Sequence, residues 1–127
     1  MTRGIAATIV ALAFGLSAAA ADPVGKYTVK GSSPGTERTY EGQVMVRKTG
    51  DTYQIVWDIA GQIAFGTGMG GENFLVVTYL SGRQVGLALY ARKPDGSWEG
   101  RWTQLGGRAI ENERWTPSAA SDRREQP

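Results

Sequence analysis

SWEGRWTQLGG, residues 97–107, alternates aromatic and polar side chains and then interrupts the pattern with a glycine. Successive side chains of a β-strand point to opposite faces of the sheet, so Trp98, Gly100 and Trp102 share one face. A glycine inside a strand marks a bulge, a bend or a close backbone approach. We therefore interpret Gly100 as a position in a closed barrel where a side chain would collide with the opposite wall. Gly42, Gly66, Gly68 and Gly86 have the same interpretation.

The chain after Pro23 repeats this texture in short runs rich in Val, Ile, Tyr and Trp, separated by Gly, Pro, Asp and Asn. This pattern is typical of β-strands joined by tight turns, and no helical period of useful length accompanies it. The predicted strands are residues 26–31, 40–48, 52–60, 62–69, 73–80, 84–92, 97–104 and 109–115. Short connections join antiparallel neighbours, and eight strands suffice to close a barrel. The sequence therefore predicts an all-β fold, an eight-stranded antiparallel up-and-down β-barrel, with a β-sandwich as the alternative.

The first 21 residues carry one basic residue, an apolar run and then small residues, the order found in a secretory signal peptide. A permanent membrane helix would need about 20 uninterrupted apolar residues, and this run is shorter because it is followed by small residues, mostly alanines. We expect export to the periplasm or the cell exterior, a single domain over residues 22–116 with no membrane span, and a disordered polar tail over residues 117–127. Without Arg3 the chain has 13 basic and 12 acidic residues, so it lacks the excess of positive charge that would indicate nucleic acid as a partner.

Neither cysteine nor histidine occurs in the chain. Exported proteins often use disulfides, but here the core alone must supply the stability. The absence of both residue types removes the common nucleophile pairs and the usual zinc sites, so we expect no metal and no cofactor. It also favours a protein that is not an enzyme.

The predicted interior is rich in aromatic residues, because the alternation in strand 52–60 places Tyr53 and Trp57 on the apolar face. Two interpretations stay open: a fully packed core, or a pocket whose rings contact a small guest molecule. The candidate lumen residues are Tyr27, Tyr40, Tyr53, Trp57, Trp98, Trp102 and Glu113.

The carboxylate of Glu113 is the unusual member of this set. If Trp115 points inward, Glu111 and Glu113 share its face, and a buried carboxylate needs hydrogen-bond partners. The alternative is that the strand end frays, or that a bulge at Gly106-Gly107 turns both carboxylates toward solvent.

The segment from residue 73 to residue 92 is apolar on both faces. Such a sheet segment must be covered, and with no helix available the cover is a second copy or another partner. We predict a self-association face made by Phe74, Val76, Val85, Leu87 and Leu89. The long first loop or the C-terminal tail is the alternative cover.

The segments GKYTV, near the start of the domain, and DGSWEGRW, near its end, resemble the eight-stranded barrels of the avidin and lipocalin kind. The segments GDTYQIVW, GLALY and GGRAIENERWTP resemble small secreted proteobacterial proteins often labelled fibronectin-binding. The first resemblance implies a barrel with a ligand in its lumen. The second implies an adhesive role toward a host or matrix protein and identifies no contact residues.

These observations predict an exported, non-enzymatic β-barrel that binds something: a small apolar or aromatic ligand in the lumen, or a protein on the outer wall. One alternative is a fibronectin-binding adhesin. The other is a cyclase or isomerase of the small-barrel type that uses Glu113 with a tyrosine, for which a solvent-exposed Glu113 would be disqualifying.

Overall fold

The computed structural model describes residues 22–33 and 37–118. These residues form eight β-strands: β1 (Gly25–Ser32), β2 (Thr39–Thr49), β3 (Thr52–Ile59), β4 (Gln62–Gly70), β5 (Phe74–Ser81), β6 (Gln84–Arg92), β7 (Trp98–Gln104) and β8 (Glu111–Pro117). Each strand pairs antiparallel with its neighbours in sequence, and the sheet closes on itself. The prediction of an all-β, eight-stranded up-and-down barrel is confirmed.

Closure depends on the pairing of β1 with β8. Val29 lies opposite Trp115 and Ser32 lies opposite Asn112, in a register that runs along six residues of each strand. A closed sheet has no free edge, which removes the unpaired N–H and C=O groups that would otherwise invite pairing with other chains. The inner face therefore becomes an enclosed lumen.

The C-terminal boundary differs from the prediction by a few residues. β8 begins at Glu111 and continues through Pro117, and the Ser118 amide donates a 3.1 Å hydrogen bond to the Lys26 carbonyl. Pro117 and Ser118, which the sequence assigned to the tail, thus extend the β1–β8 seam. The predicted signal peptide and residues 119–127 lie outside the described residues. Within the described part of the chain, no helix is long and apolar enough to cross a bilayer.

The turns follow the predicted chemistry, with one exposed anomaly. The β3–β4 hairpin turns on Ala60 and Gly61, whose φ angles are 55° and 83°. Positive φ at both central residues defines a type I′ turn, which matches strand twist and favours Asn-Gly. Alanine is the only described non-glycine residue with positive φ, and its Cβ is strained there.

Ala60→Asn is expected to stabilise the protein by about 0.5–1 kcal/mol, because asparagine tolerates the left-handed conformation that alanine adopts under strain. Urea unfolding of the variant and the parent measures the difference. Ala60→Val is the matched opposite, since a β-branched residue disfavours positive φ and should lower stability. An asparagine variant no more stable than the parent would show that this turn is not strained.

Five of the glycines inside strands lie opposite tyrosines, and in three of these pairs the tyrosine ring covers the glycine. These three pairs are Gly31 with Tyr40, Gly86 with Tyr79, and Gly100 with Tyr90. In each pair a Cβ added to the glycine would come within 1.9–2.2 Å of an atom of the tyrosine ring. The sequence anticipated the collision at Gly86 and Gly100 but attributed it to the opposite wall. The ring belongs instead to the adjacent strand and covers the glycine, an arrangement that pins register in curved sheets.

One end of the lumen is packed solid. Tyr27, Tyr53, Trp98 and Trp115 fill it together with aliphatic side chains, and Trp98 and Trp115 are almost fully buried. The Tyr27 hydroxyl donates a 2.6 Å hydrogen bond to the Pro23 carbonyl, which places the buried Pro23 against this end. The interpretation of the interior as a packed core is therefore correct for this half of the barrel.

Candidate functional site

The other half of the lumen is an open cavity of about 300 Å³. Its mouth lies where β3 turns into β4 and β5 turns into β6, and its lining combines aromatic rings with amides and one carboxylate. The lining residues are Tyr40, Trp57, Ile59, Gln62, Ala64, Tyr79, Ser81, Gln84, Tyr90, Trp102, Gln104 and Glu113. A volume of this size falls at the lower end of the range for small-molecule pockets.

The floor of the cavity is built around Glu113, which is 6% exposed. Its Oε2 atom accepts hydrogen bonds from Trp57 Nε1 at 3.0 Å, Tyr90 Oη at 2.7 Å and Trp115 Nε1 at 2.7 Å. Its Oε1 atom accepts one from Tyr40 Oη at 2.5 Å. Both oxygens act as acceptors, which is the hydrogen-bonding pattern of a carboxylate, and every donor is neutral.

The strand register brings these groups together. Tyr40 lies on β2, Trp57 on β3, Tyr90 on β6 and Trp115 two residues beyond Glu113 on β8. Inward alternation aims each side chain at the barrel axis, where strands distant in sequence meet. The carboxylate thus joins four strands through hydrogen bonds to a charged group, each of which contributes about 1.5–3 kcal/mol.

A second layer of contacts holds the walls above the floor. Trp102 Nε1 donates to Tyr40 Oη at 2.9 Å. The ring planes of Trp57 and Tyr79 meet at 60°, those of Tyr79 and Trp102 at 79°, and those of Trp102 and Tyr40 at 63°. The centroids in these pairs are 5.7–6.5 Å apart. Rings that meet at steep angles bound the cavity from several sides instead of stacking flat.

Burial and the Glu113 charge act together on the tyrosines. Loss of solvent, together with the charges of Glu113 and Glu111, raises the pKa of Tyr79 to about 12. The pKa values of Tyr40 and Tyr90 are raised for the same reasons, with their hydrogen bonds to Glu113 adding to the effect. All three phenols therefore stay protonated and able to donate well above neutral pH.

The free energy of unfolding is expected to decrease as pH rises above 10. In that range an unfolded chain releases tyrosine protons that the folded barrel retains, because Tyr79 titrates near pH 12 when folded. This contribution to stability is fully present below the unfolded tyrosine pKa of about 10 and is lost as pH rises through the folded value. Urea unfolding on either side of pH 10 tests it. Tyr79→Phe should make the decline less steep, and an unchanged slope would contradict the assignment.

The predicted lumen residues all point inward, but they divide between the two halves of the barrel. Tyr40, Trp57, Trp102 and Glu113 line the cavity, whereas Tyr27, Tyr53 and Trp98 belong to the packed end. The alternative that turned Glu113 toward solvent is wrong, because the alternation of β8 continues inward from Glu111 to Trp115.

Glu111 lies one alternation nearer the mouth and is partly exposed. Its Oε1 atom accepts a hydrogen bond from Ser33 Oγ, in the first residues of the β1–β2 loop. This places a second carboxylate at the mouth.

Sequence reasoning missed Tyr79 and Tyr90 as lining residues. Both lie in the segment that is apolar on each face, where polarity gives no inward direction. The signal that would have found them is the glycine pattern: Gly86 and Gly100 are their cross-strand partners. The three glutamines at the mouth were also missed, because a polar residue at a strand end looks like an ordinary surface residue.

The outer wall of β4–β6, all of which the structure describes, carries no charged side chain among its outward-facing residues. These are Ile63, Phe65, Thr67, Met69, Phe74, Val76, Thr78, Leu80, Val85, Leu87, Leu89 and Ala91. Phe65, Met69, Phe74 and Leu89 are each more than half exposed. We call these twelve residues the apolar wall. All five residues predicted for self-association belong to it, and in the described residues nothing packs over them.

No protein-family model matches the chain, and no curated protein matches it. Within the described residues, no group of three or more acidic side chains comes together as a metal site would require. The geometry of the lumen and of the apolar wall is therefore what indicates a function.

Proposed function

We propose that this protein is an exported, non-enzymatic β-barrel that binds a small apolar or aromatic molecule in its lumen. The observation that supports the proposal is the cavity of about 300 Å³ at one end of an otherwise packed interior. A barrel with no binding role could fill this half with larger side chains, as it fills the other half. Instead the chain places Ala64 and Ser81 among the lining residues.

The cavity is organised as binding sites usually are, with mostly apolar walls and a few fixed polar groups. Its rings are held in place by packing against one another and by the hydrogen bonds of Glu113, so a ligand would not have to order them. Gln62, Gln84 and Gln104 offer amide donors and acceptors at the mouth. A ligand with a flat apolar body and a polar group at its outer end fits this arrangement.

The arrangement of Glu113 favours binding over catalysis. A general base needs an acceptor position within reach of the proton it removes. Three of the four hydrogen bonds that Glu113 accepts converge on Oε2, and Oε1 accepts the remaining one from Tyr40. The carboxylate is buried, as the cyclase or isomerase alternative requires, but it is already committed to holding four strands together.

Binding can be tested by protein-observed NMR during titration with small aromatic probes such as indole and p-cresol. We expect both to bind and to perturb the resonances of Trp57 and Trp102. Ser81→Trp, which places bulk at the mouth, should abolish binding, whereas Thr116→Trp, on the exposed outer face of β8, should not. Absence of binding by both probes, or equal binding to the two variants, would refute a lumen site. If the probes bind, mass spectrometry of molecules that copurify with the exported protein would identify the natural ligand.

A second proposal concerns the apolar wall, which we infer is a self-association face between two copies of the barrel. A twofold interface brings the same patch of both subunits together, so a charge near the twofold axis meets a like charge. The apolar wall satisfies this requirement because none of its twelve residues is charged. The outward residues of β1 and β2 include Lys30, Glu41 and Arg47 and do not satisfy it.

The size of the apolar wall fits the core of such an interface. Three strands about 4.8 Å apart, each with four outward residues about 6.8 Å apart, give a footprint of roughly 400 Å². A standard interface buries about 800 Å² on each partner, with an apolar centre and a polar rim. The apolar wall would supply the centre, and the polar outer residues of β3 and β7 would supply the rim.

Leu87→Glu is expected to convert a dimer to a monomer, since Leu87 is 49% exposed and lies on the middle row of the apolar wall between Thr78 and Thr103. Burying two unpaired carboxylates at the interface would be strongly unfavourable. Sedimentation at micromolar concentration measures the mass. Gln43→Glu adds the same charge to exposed β2 and should leave the dimer intact. A monomeric parent, or an unchanged mass for Leu87→Glu, would rule out self-association.

The fibronectin-binding resemblance stays a prediction. It implies that a matrix protein covers part of the outer surface, and the apolar wall is where such a partner would gain most from burial. In that case the parent protein would sediment as a monomer, and Leu87→Glu would lose affinity for immobilised fibronectin while Gln43→Glu retained it.

A further inference from the structure

We propose that the lumen selects a small organic cation of the methylated ammonium class, seated among Tyr40, Trp57, Tyr79 and Trp102 above the Glu113 carboxylate. This inference rests on the proposed function, since it names the chemical class of ligand for the same cavity. A neutral apolar molecule of the same size would fill the cavity equally well. The preference for a cation therefore depends on charge and not on shape alone.

The charge of the cavity lining favours a cation. Among the described residues that line the cavity, Glu113 is the only charged one. Its four hydrogen-bond donors are phenols and indoles, so no buried cation cancels its charge. Arg38, Arg83 and Arg108 belong to loops at the same end of the barrel, but none of them lines the cavity. A ligand that enters therefore meets an uncompensated negative charge.

The arrangement of the aromatic rings also favours a cation. The face of an aromatic ring carries partial negative charge, and several rings around one space form the cage that recognises quaternary ammonium groups. Here four of the five rings that line the cavity are in contact, and successive pairs meet at 60–79°. They surround a guest from several directions, as a compact cation requires.

The negative potential of the two carboxylates extends above the floor of the cavity. Burial raises the pKa of Tyr79 most, and the charges of Glu113 and Glu111 add to this effect through space, although Tyr79 stands on the cavity wall. The groups that oppose ionisation of this phenol would, by the same interaction, attract a cation beside it. Partial burial strengthens the attraction, because little solvent remains to screen it.

The experiment compares choline with its uncharged isostere 3,3-dimethyl-1-butanol, which has the same branched shape. NMR titration of the full-length mature protein should give at least about tenfold tighter binding of choline, as expected for a desolvated cation against aromatic faces. The anion 3,3-dimethylbutyrate should bind more weakly than either. Equal affinities for choline and the isostere, or tighter binding of the anion, would overturn the inference.

Two variants assign the preference to its parts. Glu113→Gln keeps the side-chain volume and should lower the affinity for choline until it is close to that of the isostere, which carries no charge for Glu113 to attract. Tyr79 lies outside the Glu113 hydrogen-bond network. Tyr79→Leu should therefore weaken the binding of choline more than that of the isostere, and it replaces Glu113→Gln as the test if that variant folds poorly. Glu41→Gln removes an exposed outer charge and should change neither ligand. A choline preference that survives both lumen variants would place the cation elsewhere.

The outcomes separate the two levels of proposal. If indole and p-cresol bind in the lumen but choline shows no advantage over its isostere, the cavity is a binding site and only the charge inference fails. If none of the probes binds, the lumen function fails as well.

Discussion

Glu113→Ala is expected to destabilise the barrel by about 3–5 kcal/mol, because buried donors left without an acceptor cost about 1–3 kcal/mol each. The substitution removes the acceptor shared by Tyr40, Trp57, Tyr90 and Trp115. Water from the adjoining cavity would satisfy some of these donors, which is why the total is smaller than four full penalties. Since a domain is stable by only about 5–15 kcal/mol, this loss is large. Urea unfolding monitored by tryptophan fluorescence measures it.

The matched control is Glu41→Ala, which removes a carboxylate from the outer wall. The Glu41 side chain is 66% exposed and pairs with Lys30 at 3.5 Å. An exposed pair of this kind contributes about 0–1 kcal/mol. If Glu113→Ala cost no more than Glu41→Ala, the hydrogen bonds of Glu113 would not hold the barrel together, and its role would be confined to the ligand.

Gly100→Ala is expected to destabilise the protein by about 2–4 kcal/mol, combining overpacking with a weakened hydrogen bond to a charged group. The new Cβ would lie 2.2 Å from the Tyr90 ring, which is only 3% exposed. The ring must move, and its hydroxyl then loses its 2.7 Å contact with Glu113. A single methyl group therefore disturbs both the sheet and the cavity floor.

Gly71→Ala is the matched control, because a Cβ at Gly71 would meet no atom within 4 Å. Its effect should stay within about 0.5 kcal/mol, as for most surface substitutions. Comparable stability of the two variants in thermal unfolding would show that Tyr90 can shift without loss. It would also weaken the view that glycine–tyrosine pairs fix the register of this barrel.

The interior thus couples stability to the proposed binding site. The residues that close the cavity floor also join β2, β3, β6 and β8, so a substitution there alters both properties. The walls are less constrained: Tyr79 contacts Trp57 and Trp102 through ring edges and is absent from the Glu113 network. Variation of ligand preference with little loss of stability is therefore expected at Tyr79 and at the glutamines of the mouth.

The barrel could be predicted from the sequence because its signals are local. Alternation of side chains depends only on the two-residue period of a strand, and turns such as Ala60-Gly61 depend on adjacent residues. Strand number and short connections then restrict the topology to neighbours pairing in order. For the same reason the inward aromatic residues of β3 and β7 could be assigned from the sequence, whereas only five of the twelve residues of the apolar wall were predicted as an outer face, because that segment is apolar on both faces.

What only the tertiary structure decided is how the inward side chains meet. No local pattern shows that Glu113 lies among the side chains of Tyr40, Trp57 and Tyr90, because these residues are 73, 56 and 23 positions away in the chain. Whether the lumen is filled depends on the sum of side-chain volumes around a closed ring, which is a property of the whole barrel. The sequence by itself therefore determined the strands and, where apolar and polar residues alternate, their faces. Closure of the sheet determined the buried carboxylate, the ring geometry and the cavity.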